Sequence, residues 1–433
     1  MVGRLCAKAR NWAARFLEDI TKFLHCADVH LDSPMRGLAR REAAPIDALR
    51  GAARRAFENL VNFAIKERVA FVVIAGDLYD GDRDDFNTAI FLQRQLRILR
   101  EAGIDVVIAL GNHDAANEIT KRLDLPKGVH VFSHERPESV TLEAAGAVLH
   151  GQSYATRAVT DNLSINYPQA VPNCLNVGVL HTSLDGRPNH DPYAPATPES
   201  LARRGYEYWA LGHVHKREEI LREGSRIVFP GNLQGRDVGE TGSKGATLVE
   251  YTDSGIQEMT HIELAPIQWG VVELDLRTAT SPGDAIERAS SRLAIDARQE
   301  PCELVATRLV LEMDSELAEK WTREAQRYEA QLRADTDRES LWIEKVKLKV
   351  EKRRSPSFEG EALEAIRAAI SSLREDHEAL GELTEVFAPL RSKLGSELGE
   401  VIRLSGAAID PEGALALLDS VEVLLLSELG ADS

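Results

Sequence analysis

The sequence predicts a layered α/β domain, followed by a smaller α/β segment and a helical C-terminal region. Short apolar runs alternate with helical patterns from Phe23 onward, and several of these runs end on Asp, Asn or His. Runs of this length are typical of buried strands, and strands that alternate with helices build layered α/β domains. Because such sheets place ligand sites at the carboxyl ends of their strands, we expect the polar strand ends to meet at one edge.

The length and composition are those of a globular protein with more than one domain. At roughly 150 residues per domain, a chain of 433 residues is expected to form two or three domains. No apolar run approaches the roughly 20 residues that a membrane-spanning helix needs, so we expect no membrane partner. The four cysteines lie far apart, without the spacing of a zinc site or a disulfide framework, which predicts a cytoplasmic location.

The chain is acidic, with 52 Lys and Arg against 69 Asp and Glu and a net charge of −17. This balance argues against a protein that coats nucleic acid generally, because a polyanion would be repelled at long range. The negative net charge does not exclude a local basic groove or phosphate binding through metal ions.

We predict that residues 1–22 are an N-terminal extension. An amphipathic targeting helix is the alternative, and Glu18 and Asp19 argue against it.

Several apolar runs are predicted as strands that end on a polar residue. They are residues 23–27, 71–75, 106–110, 177–180 and 208–211, with helical patterns at residues 48–68 and 87–102. Two further runs, residues 227–232 and 246–251, are joined by a Gly-rich segment that we expect to form an ordered loop near the site. These elements define a predicted catalytic domain over residues 23–265.

Two further regions follow the catalytic domain. Residues 266–352 are predicted to form a small α/β capping domain, with strands at 271–276, 304–313 and 342–350 and a helix at 282–295. Residues 353–433 begin with a linker and continue as a helical region with apolar faces. An apolar helical surface must be buried, so these helices either fold back on the chain, form a homodimer seam or bind helices of a partner.

Polar motifs follow the predicted strands in a fixed order. Along the chain they are Asp28-x-His30, Gly76-Asp77-x-x-Asp80, Gly111-Asn112-His113-Asp114, His181 and Gly212-His213-x-His215. Each motif alone is weak, because a lone Gly-Asp is more often a turn or a helix cap than a metal ligand. Together, at the ends of strands that share one sheet edge, the motifs indicate a metal site.

The residue types indicate the chemistry of this site. Hydrolysis of a phosphodiester needs a nucleophile at neutral pH and neutralisation of the phosphoryl oxygens, and two divalent ions roughly 3.5–4 Å apart supply both. A mixture of His and Asp suits manganese, iron, cobalt or zinc better than magnesium or calcium. We predict two divalent metal ions, with manganese (Mn2+) as the preferred metal.

The order and spacing of these motifs resemble the calcineurin-like metallophosphoesterase superfamily. Within it, FLHCADVHLDSPMRGL at residues 23–38 and FPGNLQGRDVGETGSKGATLVEY at residues 229–251 resemble the SbcD/YhaO-type DNA repair exonuclease family. The likeness extends from Phe23 to about Trp269. It implies a four-layer αββα metallophosphoesterase sandwich with the small capping domain and the helical C-terminal region appended.

The resemblance also implies a role for each motif residue. One ion would be held by Asp28, His30, Asp77 and His215, and the other by Asp77, Asn112, His181 and His213. Asp77 would then bridge the two ions. His113 would protonate the leaving oxygen or stabilise the charge on phosphorus, and Asp114 would orient the ring of His113.

Residues around these motifs have two interpretations each. Asn232, Gln234 and Arg236 in the Gly-rich loop are predicted to bind backbone phosphates through their amides and guanidinium, with a plain turn as the alternative. Asp80 either contacts the residues that bind the metal ions, without binding the ions itself, or caps the following turn.

Lysines alternate with apolar residues on the last predicted strand of the capping domain. Period-two spacing puts Lys345, Lys347 and Lys349 on one face of this strand. A solvated strand face is the favoured interpretation, and a surface that tracks a DNA backbone is the alternative.

The function predicted from these observations is a manganese-dependent DNA exonuclease or endonuclease in DNA repair. The resemblance implies a separately encoded SbcC-like or YhaN-like ATPase partner that docks on the C-terminal helices. One alternative is a phosphodiesterase or phosphatase for small nucleotides or phosphoproteins, because the same centre serves all of these substrates. Another is a DNA-tethering scaffold for the ATPase, which the complete ligand set argues against.

Overall fold

The computed structural model describes residues 20–33, 44–80, 86–115, 125–184, 193–299, 302–336 and 340–350, together with residues 368, 371 and 372. Most of the predicted N-terminal extension and nearly all of the predicted helical C-terminal region lie outside the described residues. The described residues up to Glu312, together with Lys320–Lys349, belong to one compact unit. No helix within the described ranges is long and apolar enough to span a membrane.

Strands and helices are numbered along the chain. The strands are β1 (Thr21–Cys26), β2 (Phe71–Ala75), β3 (Asp105–Ala109), β4 (Val129–Val131), β5 (Glu138–Leu142), β6 (Ala147–Gly151), β7 (Leu175–His181), β8 (Tyr208–Gly212), β9 (Glu218–Arg222), β10 (Ser225–Phe229), β11 (Gly245–Thr252), β12 (Gly255–Glu263), β13 (Ile267–Asp275), β14 (Leu304–Met313) and β15 (Leu341–Val350). The α-helices are α1 (Ile46–Glu67), α2 (Phe86–Glu101), α3 (Asn112–Ala115), α4 (Pro198–Ala202), α5 (Pro282–Gln299), α6 (Ser315–Arg323) and α7 (Ala325–Asp335).

Two six-stranded sheets form the catalytic part. The first has the order β12-β11-β1-β2-β3-β4, and the second has the order β5-β6-β7-β8-β10-β9. In the first sheet β1 to β4 are parallel, and β11 joins β1 in the antiparallel direction. In the second sheet β6, β7, β8 and β10 are parallel. The parallel cores of both sheets therefore present rows of carboxyl strand ends.

The alternation of side chains along the strands places the two sheets face to face. In β1, Phe23 belongs to the apolar core shared with the second sheet, whereas Leu24 packs with residues of α1 and α2. In β8, Tyr208 faces the shared core, and Trp209 packs with Leu201 of α4 on the opposite side. The layers follow in the order helix, sheet, sheet, helix, which confirms the predicted αββα sandwich.

Most central strands match the predicted apolar runs, but β6 lies inside the second sheet, is fully buried and has no predicted counterpart. β1 begins at Thr21, earlier than predicted, because Thr21 and Lys22 pair with Tyr251 and Glu250 of β11. The edge strands β5, β9 and β12 have no predicted counterpart. Their residues are only partly buried or exposed, so no continuous apolar run marks them.

The small α/β part contains a three-stranded sheet in the order β13-β14-β15. It adjoins the catalytic part through an apolar cluster that α1 and the three strands share. The buried members of this cluster are Leu49, Ala52, Ile267, Trp269, Leu304, Ala306 and Trp342. The boundaries of the predicted domains, residues 23–265 and 266–352, stay predictions.

Candidate metal centre

Loops at the carboxyl ends of strands from both sheets bring the predicted ligands together. The first sheet contributes Asp28 and His30 after β1, Asp77 after β2, and Asn112 at the start of α3; the second contributes His181 at the end of β7 and His213 and His215 after β8. Apart from Asn112, their ligand atoms form compact groups, and the atoms of each group lie within 4.8 Å of one another. The ligands therefore meet where the carboxyl strand ends of two sheets come together, and not at the edge of a single sheet as the sequence predicts.

The backbone of these loops is held in an unusual conformation. Asp28, His30, Asp77 and His213 have φ angles of 50°, 46°, 54° and 99°, a region that residues other than glycine rarely adopt. Such conformations cost of order 1–3 kcal/mol each and persist only where the surroundings enforce them. Hydrogen bonds between the loops do so, because the N–H groups of Asp28 and His30 donate to the carbonyls of Gly76 and Asp77, each at 3.0 Å.

Two positions in the motifs require glycine, because a ligand side chain lies too close to leave room for a Cβ atom. A Cβ atom on Gly76 would lie 2.2 Å from Nδ1 of His181. A Cβ atom on Gly111 would lie 2.3 Å from Oδ1 of Asp77. The Gly-Asp and Gly-Asn pairs in the sequence are therefore part of the site's packing as well as turn signals.

The first donor group contains Asp28, His30 and His215. Nε2 of His30 and Nε2 of His215 lie 3.1 Å apart. Two imidazole nitrogens at this distance need a proton or a cation between them, because a neutral ring has only one N–H. Asp28 is fully buried, and both of its oxygens lie 3.0 Å from the backbone N–H of His213, which fixes the carboxylate beside the two rings.

The second donor group contains Asp77, His181 and His213. Nδ1 of His181 lies 2.9 Å from the carbonyl oxygen of Ala75 and donates its proton there. Nε2 then presents a lone pair to Oδ1 of Asn112 at 2.9 Å and Oδ2 of Asp77 at 3.4 Å. Acceptors that face one another in this way bind a positive charge.

The electrostatics of the second group favour a cation. Burial opposes a charge on His181, but the neighbouring Asp77 outweighs it and raises the pKa of His181 to about 9. The same contacts hold the pKa of Asp77 below its usual range despite complete burial. A metal ion that binds there competes with a proton for these acceptors.

Asp77 lies between the two groups. Its Oδ2 is 3.4 Å from Nε2 of His181 and 4.0 Å from Nε2 of His30, and its Oδ1 accepts the backbone N–H of His113 at 3.0 Å. This central place suits a carboxylate shared by two ions. His30, Asp77 and His113 also form a group whose atoms lie within 4.8 Å.

The structure corrects the predicted role of Asp114. Its carboxylate is buried and accepts the backbone N–H groups of Leu78 and Gly111, at 2.9 and 3.0 Å, rather than the ring of His113. Asp114 therefore fastens two ligand loops together. The carboxylate beside His113 is that of Asp80, whose Oδ1 lies 3.4 Å from Nδ1 of the ring.

The position of Asp80 favours its interpretation as a supporting residue. It lies 3.9 Å from Nδ1 of His30 and 3.7 Å from Nη1 of Arg236, in addition to its contact with His113. Asp80 therefore contacts side chains from three loops of the site.

Only one of the predicted phosphate-binding side chains reaches solvent. The side chain of Arg236 is 30% exposed. Asn232 and Gln234 are buried, and the Gln234 amide is engaged by the backbone of Ile267 and Gly235. The burial and these hydrogen bonds favour a structural role of both amides within the Gly-rich loop, and their predicted contact with substrate stays a prediction.

Glu240 belongs to the site and has no counterpart in the sequence-based prediction. Its carboxylate lies 2.7 Å from Nδ1 of His215 and 2.7 Å from the amide nitrogen of Asn232. The same loop contributes Lys244, whose ammonium donates to the carbonyl oxygen of His215 at 2.8 Å. No local spacing marks these residues, because only the folding of the Gly-rich loop brings them to His215.

Family models match two parts of the chain. Residues 21–217 match the family described as calcineurin-like phosphoesterase, and residues 269–351 match the middle domain of the metallophosphoesterase YhaO. The first match spans the strand ends that carry all the donor groups. Residues 21–217 of the chain form a calcineurin-like phosphoesterase domain. This domain match, together with the donor groups, implies divalent metal ions.

The chain is similar to a metallophosphoesterase and to DNA repair proteins of other organisms. A Bacillus subtilis protein described as an uncharacterized metallophosphoesterase YhaO is 36% identical over 243 residues, which is 55% of this chain and 59% of that protein. The DNA double-strand break repair protein Mre11 of Methanopyrus kandleri is 26% identical over 273 residues, which is 57% of each chain. These matches span less than two thirds of either relative.

A solved structure of a dimetal phosphatase from Danio rerio is 14% identical, with a TM-score of 0.36 over 57% of this chain and 99% of that chain. A score this low supports no inference about the site.

Proposed function

We propose that the protein is a two-metal phosphodiesterase that cleaves DNA as an exonuclease or endonuclease in DNA repair. The observation that carries this proposal is the pair of donor groups that meet at Asp77. The Mre11 relatives, described as DNA double-strand break repair proteins, support DNA as the substrate.

The residues fit two ions on the grounds of donor chemistry. We assign Asp28, His30, Asp77 and His215 to one ion and Asp77, Asn112, His181 and His213 to the other. Bound ions supply Lewis acidity toward phosphoryl oxygens and a water of lowered pKa as nucleophile. Manganese is our preferred metal, because it accepts both the imidazole nitrogens and the carboxylate oxygens of this set.

We assign the proton transfer to His113. Its side chain is 25% exposed, similar to the 22% of His215, so its ring is accessible from solvent. With Nδ1 beside Asp80, Nε2 is left to face a bound phosphodiester. We assign His113 the protonation of the leaving oxygen, and Asp80 the orientation of the ring.

Arg236 is the residue of the Gly-rich loop that we assign to the substrate. Its guanidinium lies between Glu240 and Asp80, with Nη2 at 3.2 Å from Glu240 and Nη1 at 3.7 Å from Asp80. A planar guanidinium with an exposed edge binds phosphate oxygens in a fixed orientation. We therefore expect Arg236 to contact a phosphate next to the cleaved bond.

We also propose a separately encoded SbcC-like or YhaN-like ATPase as partner. Support comes from the motif resemblance and from the Mre11 relatives, and the predicted docking helices lie outside the described residues. A homodimer stays a further possibility for this region.

The test of the function is cleavage of end-labelled single-stranded and double-stranded DNA by the full chain, with manganese and with magnesium. We expect manganese-dependent cleavage of DNA that exceeds cleavage of a chromogenic small phosphodiester. Asp77→Ala serves as the inactive control. Efficient hydrolysis of the small phosphodiester without cleavage of DNA would instead identify an enzyme for small nucleotides.

A further inference from the structure

Glu240 is a partly buried carboxylate that receives several donors at once. Its side chain is 16% exposed. It accepts hydrogen bonds from Nδ1 of His215 at 2.7 Å, the amide of Asn232 at 2.7 Å and the backbone N–H of Arg236 at 2.8 Å. The guanidinium of Arg236 also donates to it, at 3.2 Å. Few positions of the carboxylate satisfy all these donors, so its place is closely defined.

The contact with Glu240 determines which nitrogen of His215 faces the site. A neutral imidazole has one donor and one acceptor nitrogen. Because Nδ1 donates to Glu240, the lone pair of His215 lies on Nε2, which faces Nε2 of His30 at 3.1 Å. Metal-binding histidines commonly donate their second N–H to a carboxylate, which fixes the tautomer and the ring orientation.

The surroundings keep Glu240 ionised. Burial raises its pKa, but the hydrogen bond from His215 and the charge of Arg236 outweigh this effect and hold the pKa below its usual range.

The loop that carries Glu240 is fastened to the small sheet on both sides of this residue. Before Glu240, the Gln234 amide donates to the carbonyl oxygen of Ile267 at 2.8 Å and accepts its N–H at 3.2 Å. After Glu240, the N–H of Gly242 donates to the carbonyl oxygen of Trp269 at 3.2 Å. Ile267 and Trp269 both belong to β13, so one strand of the small sheet holds both arms of the loop.

We propose that Glu240 is a positioning residue that orients His215 toward the ion assigned to Asp28, His30, Asp77 and His215, and that β13 holds Glu240 in place. The small sheet then contributes to metal affinity although it supplies no ligand. This inference rests on the two-ion centre of the proposed function. It adds that Glu240, and the contact of its loop with β13, affect metal binding through His215.

The experiment is a manganese titration of the full chain that resolves the affinity of each site. Glu240→Gln keeps the shape and an acceptor but removes the charge, and Glu240→Ala removes both. The matched control is Glu258→Gln, which makes the same change at an exposed position of β12. We expect Glu240→Ala to weaken one site by about 10-fold to 100-fold, the effect of losing a residue that orients a ligand.

Further expectations separate a positioning role from general damage. Glu240→Gln should weaken the same site by a smaller factor, and Glu258→Gln should leave both sites unchanged. Gln234→Ala should weaken that site too, by less than Glu240→Ala, because it loosens only one arm of the loop. Thermal unfolding of each variant, followed by circular dichroism, checks that the fold is retained.

The outcomes distinguish this inference from the proposed function. If the unmodified chain binds fewer than two ions, the two-ion centre fails and this inference fails with it. If it binds two ions and both Glu240 variants bind them as tightly as Glu258→Gln does, the inference alone is overturned. If only Gln234→Ala leaves the affinity unchanged, the role of β13 is overturned.

Discussion

His113 lies beside His30 and Asp77 without belonging to either assigned ligand set. Its Nδ1 is 3.4 Å from Asp80, and its backbone N–H donates to Asp77 at 3.0 Å. A ring held in this way is suited to proton transfer, because its position does not depend on a bond to a metal.

We predict that His113→Gln leaves the metal content nearly unchanged and lowers the cleavage rate by about two to four orders of magnitude, the range for removal of a general acid. Elemental analysis and initial rates on labelled DNA measure the two effects. Because His113 also shares a compact donor group with His30 and Asp77, loss of metal together with activity would show that it is a ligand.

At the residue scale, the sequence predicts which ligands meet but not which side chains support them. Asp28, Asp77 and His181 follow buried apolar runs, so the rule for strand ends places them correctly. The exchange of roles between Asp80 and Asp114 depends on how two loops turn after their strands. No spacing in the sequence encodes that turn.

Among the elements, the loops after β2 and β3 are packed so closely that their glycines have no room for a side chain. A Cβ atom on Gly111 would meet Oδ1 of Asp77 at 2.3 Å and the Asp77 nitrogen at 2.9 Å. At Gly270 in β13, by contrast, a Cβ atom would meet nothing within 4 Å.

We predict that Gly111→Ala displaces Asp77 and lowers the manganese content, whereas Gly270→Ala does not. Asp77 is the carboxylate between the two donor groups, so both ions should bind more weakly in the first variant. Manganese titration of the two variants at equal protein concentration measures the difference. Equal affinities would show that the loop can absorb the extra carbon without moving Asp77.

Burial makes most central strands predictable from the sequence, although β6 is fully buried and is not predicted. The central strands β2, β3 and β8 are almost entirely buried, so continuous apolar runs identify them. An edge strand such as β9 has one exposed face and charged residues, so its sequence contains no apolar run. β9 is recognised as a strand by its pairing with β10. The Gly-rich loop was expected near the site, but its attachment to β13 depends on contacts distant in sequence.

For the whole molecule, the region after Ser355 is assigned to partner binding on the basis of sequence. Its apolar positions need a covering surface, and the motif resemblance favours helices of an ATPase. The described unit already contains every proposed ligand, so catalysis should not need this region.

We predict that deletion of the residues after Ser355 spares metal-dependent cleavage of a short single-stranded substrate and removes co-purification with the ATPase. Cleavage assays and affinity purification of the truncated and full chains measure the two properties. A truncated protein that still binds the ATPase, or that loses its metals and unfolds, would show that this region belongs to the catalytic core.

The central claim is a two-ion centre that Asp77 bridges. The most direct measurement is the manganese content per chain of the unmodified protein and of Asp77→Ala, determined by elemental analysis after loading and removal of free metal. We predict about two ions for the unmodified protein, as a bridged centre requires. For Asp77→Ala we predict a large loss of bound manganese and no hydrolysis. A single ion in the unmodified protein, or retained ions and activity in Asp77→Ala, would contradict the bridged centre.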